Sequence, residues 1–152
     1  MIHKNNMNHM DSNESIIVMI VSMLLAGTIS GMNSFVNNRS DIRFNINDFY
    51  MSLMMIGLMF ILMSVYYKSK KLFFVGLIIT IITLYALRNQ IFVNKNNFIN
   101  SMIPHHSMAV MMSKKYLEKM DENDMEFKIF LKKIIETQEN EIMFMKRNEK
   151  NI

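Results

Sequence analysis

The chain has 152 residues, 51% of them hydrophobic, yet its mean hydropathy is only +0.12, so the apolar residues are concentrated in one part of its length. A formal charge of +4, scattered along the chain, is too small for a nucleic-acid surface, and the lack of Cys excludes disulfides, zinc ribbons, iron–sulfur clusters and thiol catalysis. One Pro and four Gly supply strands and tight turns poorly, which points to an all-α fold, and 19 Met stand out.

Residues 1–15 form a polar tail whose His3, Met7, His9 and Met10 could make a soft-metal site, although such a tail implies no fixed geometry. Three apolar runs follow, at 16–36, 49–67 and 72–92; the first two carry no charge and the third none before Arg88. A helix rises about 1.5 Å per residue and the hydrocarbon core is about 30 Å thick, so each run is long enough to span. Arg88, near the end of its run, can snorkel to the headgroups. Asp11 and Glu14 against Lys4 before the first run do not suit a signal peptide, so that run reads as a retained span. Within it, Gly27 and Gly31 form a small-xxx-small pattern suited to close helix packing. Lys68, Lys70 and Lys71 in the second loop outweigh Arg39 and Arg43 in the first. The positive-inside bias then puts the N-terminus in the cytoplasm and the C-terminal region on the outer side of a multi-pass protein.

Met51, Met55, Met59 and Met63 recur every fourth residue in the second run. Met59-x-x-x-Met63, with Gly76 thirteen residues on, resembles part of the copper-permease pattern of eukaryotic high-affinity copper transporters, which also have three spans and a Met-rich tail. Thr80 stands where that pattern has its second glycine, and the basic loop suggests the opposite orientation, so a copper permease is the runner-up reading.

Residues 93–97 read as a polar hinge. Two helices are expected at 98–120 and 124–148, joined by Asp121-Glu122-Asn123 and therefore antiparallel, with Asp124 capping the second and Pro104 kinking the first or resetting its start. Helical spacing puts Met102, His105, Met108, Ala109, Met112 and Tyr116 on one face, with His106 at its margin. On the second helix Phe127, Leu131, Ile134, Gln138, Ile142 and Met145 share a face, with Glu141 at the edge. Folding the hairpin about residue 122 brings Met102, His105 and Met145 together near His106 and Glu141. Soft thioether sulfur with imidazole suits Cu(I), whereas zinc rarely takes Met. Met102, His105 and Met145 are the expected primary ligands and His106, Met108 and Met112 the auxiliary ones; Gln138 and Glu141 would orient an imidazole through its other nitrogen. The competing reading of each Met is core filling.

The segment Phe98–Ala109, reading M-x-P-H-H-x-x-A from Met102, and the downstream I-I-x-x-Q-x-x-E-I-x-x-M from Ile134 to Met145 resemble the family called domain of unknown function 305. Met102, Pro104, His105, His106, Ala109, Gln138, Glu141, Ile142 and Met145 carry the resemblance, which covers residues 98–148 and not the three spans. It implies a helical, ferritin-like domain, exported or membrane-tethered, with copper or silver binding in some members. Many members carry a longer domain or two hairpins; a single hairpin buries little, so two copies are expected to pair into a four-helix bundle. A di-iron oxidase is disfavoured, because the positions three before His105 and His106 are Met102 and Ile103 rather than Glu. With no catalytic set visible, the expected function is a non-enzymatic, membrane-anchored copper or silver binder in metal handling or tolerance, partnered by the bilayer, the metal and a second copy. A structural membrane or envelope protein, whose hairpin dimerises and binds nothing, is the alternative from another class.

Overall fold

The computed structural model describes residues 12–29, 31–120 and 124–149. Among them the chain is all-α: α1 (Ser12–Ile29), α2 (Ile46–Tyr66), α3 (Lys70–Arg88), α4 (Lys95–Leu117) and α5 (Met125–Glu149), with short 3-10 turns at Met32–Phe35 and Arg39–Asp41 and no strand. The tail residues His3, Met7, His9 and Met10 and the link Asp121-Glu122-Asn123 lie outside the described residues.

Three stretches, Ile16–Phe35, Ile46–Tyr66 and Lys70–Arg88, are long and apolar enough to cross a membrane. Their outer faces expose large apolar side chains such as Leu62, Val65, Ile78 and Ile82, as lipid contact requires. The first expected run does not continue as one α-helix to residue 36: α1 ends at Ile29 and the chain turns. Beyond the helix end, the Asn33 side chain imitates a backbone group and ties the loop. Its Oδ1 accepts the Arg43 N–H at 3.0 Å and its Nδ2 donates to the Arg43 carbonyl at 2.8 Å, drawing the two ends of the loop together.

α2 and α3 pack where two glycines face each other. A Cβ on Gly76 would lie 2.6 Å from the Gly57 carbonyl oxygen, and one on Gly57 would lie 2.5 Å from Thr80 Oγ1. Asn45 caps α2 by accepting the Asp48 N–H at 2.9 Å, and Lys68 takes a left-handed φ of 49° in the turn to α3. After α3, Gln90 and Phe92 take φ of 48° and 58°, and the Tyr50 hydroxyl ties this turn to α2 by donating to the Ile91 carbonyl at 2.8 Å. The chain is ready to re-enter helix at once. Asn94 accepts the Asn97 N–H at 2.9 Å, so α4 starts at Lys95 rather than Phe98 and takes up most of the expected hinge. α4 runs through Pro104, which does not reset its start; the helix gives up one backbone bond to Asn100 and buries the ring.

In α5, Asp124 Oδ1 accepts the Phe127 N–H at 3.1 Å, as expected of a cap. Tyr116 meets Phe127 and His106 meets Glu141, so later residues of α4 face earlier residues of α5. Between them Ile99, Ile103, Val110, Ile142 and Met145 form the core, with Met102 and Ile135 packed against it. Part of the stripe expected to close this pair is turned outward, although Met102 packs against the core and Tyr116 meets Phe127. His105, Met112 and Tyr116 are exposed, while Ser101, Ser107 and Ser113 are buried. α4 has two covered sides, one against α5 and one against the loop between α1 and α2, and its small Ser residues allow the loop to approach.

Candidate functional site

α4 offers His105 and His106 just after Pro104, and α5 offers Glu141 opposite. The His106 side chain is 13% exposed, and its Nδ1 lies 2.9 Å from Glu141 Oε2. That is ion-pair range, but the direction lies outside good hydrogen-bond angles, and Nδ1 has no other partner. Burial lowers the His106 pKa below the usual histidine value; the Glu141 carboxylate opposes this, and the neighbouring His105 adds to it. Burial thus favours the neutral imidazole, with the Glu141 carboxylate close to Nδ1.

His105 stands beside it on the outward face, the two rings edge to face at 5.9 Å. Met102 lies one turn before His106, half-buried against the core that contains Met145. The two thioethers thus share one cluster. Of the other sequence candidates, Met108 is half-buried, Met112 is 57% exposed, and Gln138 is half-buried one turn before Glu141. Glu141, not Gln138, meets a ring, and the ring it meets is His106 rather than His105. Among the described residues no three His, Asp or Glu side chains gather as a metal site within one chain.

Sequence reasoning missed a second polar cluster on the other side of α4. The Ser107 hydroxyl donates to Asp41 Oδ2 at 2.6 Å and accepts the Asn37 N–H at 2.8 Å. Asp41 is 1% exposed, and its other oxygen pairs with Lys146 of α5. Arg43 grips Glu149 with two parallel bonds of 3.0 Å, and Asn47 Nδ2 donates to Ser101 Oγ at 3.1 Å. Beside this dock a shallow cavity of about 240 Å³ opens between Asn37, Asp41, Glu139, Met143 and Lys146, over Val110 and Ile142. One signal was available in the sequence: with three spans, the first loop and the C-terminal helices fall on the same side, so Arg39, Asp41 and Arg43 were their natural charged neighbours.

Residues 83–148, which include all of α4 and nearly all of α5, match the family described as domain of unknown function (DUF305). An uncharacterised protein of Acanthamoeba polyphaga mimivirus is 38% identical over 136 residues, covering 86% of this chain and 88% of its own. No solved structure matches. Residues 83–148 thus resemble the domain of unknown function (DUF305) family, and the chain as a whole belongs to one family with this viral protein.

Proposed function

We propose that the chain is a membrane-anchored binder of a soft metal ion, Cu(I) or Ag(I), and that the α4–α5 pair holds the metal outside the bilayer. The contact that carries this reading is His106 Nδ1 at 2.9 Å from Glu141 Oε2. A carboxylate behind an imidazole fixes the tautomer and directs the other nitrogen to a ligand, an arrangement common behind metal-binding histidines. Met102 and Met145 supply sulfur from the adjoining cluster, with His105, Met108 and Met112 nearby on α4. Thioether and neutral imidazole together favour monovalent copper or silver over zinc or magnesium. In this reading the three apolar helices are the anchor, with Lys68, Lys70 and Lys71 on the cytoplasmic side.

The test is Ag(I) titration of the full chain in mild detergent, followed by competition with a chelator. Met102→Leu keeps volume and apolarity, so as a packing change it costs under about 1.5 kcal/mol. Loss of its sulfur, like loss of the imidazole in His106→Ala, is expected to weaken Ag(I) binding at least tenfold. If both variants bind like the parent, the helices pack and do not bind metal.

A further inference from the structure

The α4–α5 pair has two long sides, and among the described residues only one is covered. The loop between α1 and α2 lies over Ser107 and Val110. The other side presents Met112, Tyr116, Phe130 and Phe144, which are 54–63% exposed, around His105. Tyr116, Phe127 and Phe130 stack along it in sequence, at 5.7 and 5.8 Å between ring centroids. A continuous aromatic and Met surface of this kind, outside the three apolar helices, calls for an occupant.

We infer that the occupant is a second copy of this chain, and that its His105 completes the metal site. This inference rests on the metal-binding reading above. Three observations select a second copy. α4 has 23 residues and is about 35 Å long; two helices side by side are about 20 Å wide, so each copy offers about 700 Å², close to the usual half of a stable interface. α5 carries five Lys and Arg (Lys128, Lys132, Lys133, Lys146, Arg147) against five Glu (Glu126, Glu136, Glu139, Glu141, Glu149). A helix built to lie on an anionic membrane would carry a basic excess; this balance suits a protein face of mixed charge. Finally, His105 is exposed on the open face, apart from the core that holds Met145 and packs Met102, so one chain leaves this imidazole out of the cluster. Pairing open face to open face makes a four-helix bundle with both His105 side chains in its interior. Because the loop blocks the opposite side, assembly stops at two copies.

The experiment uses the full chain in native membranes or nanodiscs. It contains no Cys, so single-cysteine variants report without background. Met112→Cys is expected to cross-link as a dimer, whereas Met143→Cys, which lies beside the loop, is not. Phe130→Glu, an exposed position that is no ligand, is expected to keep parent helicity, abolish the cross-link when combined with Met112→Cys, and on its own weaken Ag(I) binding at least tenfold. If Phe130→Glu binds Ag(I) as tightly as the parent, each chain holds a complete site; the inference is then wrong and the metal reading stands. If Met112→Cys cross-links but the parent binds no Ag(I), the metal reading fails and the shared site with it. Quenching of a label at Met112→Cys by lipid-borne spin probes, without cross-linking, would place the face on the bilayer and overturn the pairing.

Discussion

Ser107 Oγ lies 2.6 Å from Asp41 Oδ2 and joins the helix bearing the histidines to a loop 66 residues earlier in the chain. The loop is therefore part of the fold of the α4–α5 pair. Asp41→Ala would strand the Lys146 ammonium and leave the Ser107 hydroxyl without its acceptor. Lys146 is 31% exposed, so water recovers part of the loss. A destabilisation of about 2–3 kcal/mol is expected, and Ser107→Ala should cost about 1 kcal/mol. Pulse proteolysis in urea, with the full chain in detergent, measures both. Parent-like resistance of Asp41→Ala would show the dock to be incidental.

Arg43 and Glu149 form the outer part of the same dock, with side chains 21% and 35% exposed. Their worth is correspondingly small and sensitive to salt. Arg43→Lys keeps the charge but loses the two-pronged geometry, and is expected to cost under about 1 kcal/mol at low ionic strength and nothing measurable at 1 M salt. Proteolysis at the C-terminal end of α5, followed with and without salt, separates this pair from Asp41–Lys146, whose buried carboxylate should resist screening.

Within the apolar region, Gly76 sets how closely α3 approaches α2. A Cβ there would meet the Gly57 carbonyl oxygen at 2.6 Å and the Ile61 nitrogen at 2.9 Å, both backbone atoms that cannot turn aside. Gly76→Ala must therefore spread the helices. An overpacking cost of about 1–3 kcal/mol is expected, seen as a lower Tm in detergent. Gly76→Ala with an unchanged Tm would mean that the pair tolerates a wider spacing.

Much of the architecture was legible because uncharged runs of span length leave few alternatives, and α2 and α3 follow the second and third runs to within a few residues, whereas α1 stops well before the first run ends. α5 was also legible: its apolar stripe is regular, and Leu131, Ile142 and Met145 of that stripe are buried. α4 misled because hydropathy ranks Met above Ser, and the Met spacing drew the expected stripe onto the face that carries His105 and Tyr116. The face it buries is marked by Ser101, Ser107 and Ser113, of which Ser107 bonds the loop and Ser101 bonds the start of α2. That information lies at Asn37, Asp41 and Asn47, far away in sequence, where no local period reveals it. The neighbourhood of His106 and Glu141 followed from helix rise alone; which histidine met the carboxylate depended on a rotation of the helix that only packing decides.

The dock also bears on topology. Ser40 and the C-terminal helices are in contact, through Lys146 Nζ donating to Ser40 Oγ at 3.2 Å, whereas Lys70 lies at the other end of α2 and α3. Cysteines placed singly at Ser40, Lys119 and Lys70 should thus label in two groups. Ser40→Cys and Lys119→Cys are expected to react with an impermeant maleimide on intact cells, and Lys70→Cys only after permeabilisation. Reversal of both groups would invert the orientation and keep the fold; separation of Ser40 from Lys119 would break the dock.

The last prediction turns on the two opposing effects of Glu141. His106 has its pKa lowered by burial, so in acid the unfolded chain takes up the proton before the folded one. The stability tied to the neutral ring is present above the ordinary histidine pKa of about 6.5 and is lost as pH falls through the lower folded value. Glu141 resists the shift, so Glu141→Ala should lower the His106 pKa further and extend the neutral form into more acidic solution; NMR of the imidazole carbon-bound protons reads this directly. If the carboxylate acted only through charge, that variant would bind Ag(I) at pH 7 as well as the parent, because the ring is neutral in both. If the carboxylate fixes the Nδ1 proton and so directs Nε2, affinity at pH 7 falls about 10–100-fold even though protonation is unchanged. A lower pKa together with weaker binding is the expected pair of results. A lower pKa with unchanged binding would reduce Glu141 to a surface charge beside a core histidine.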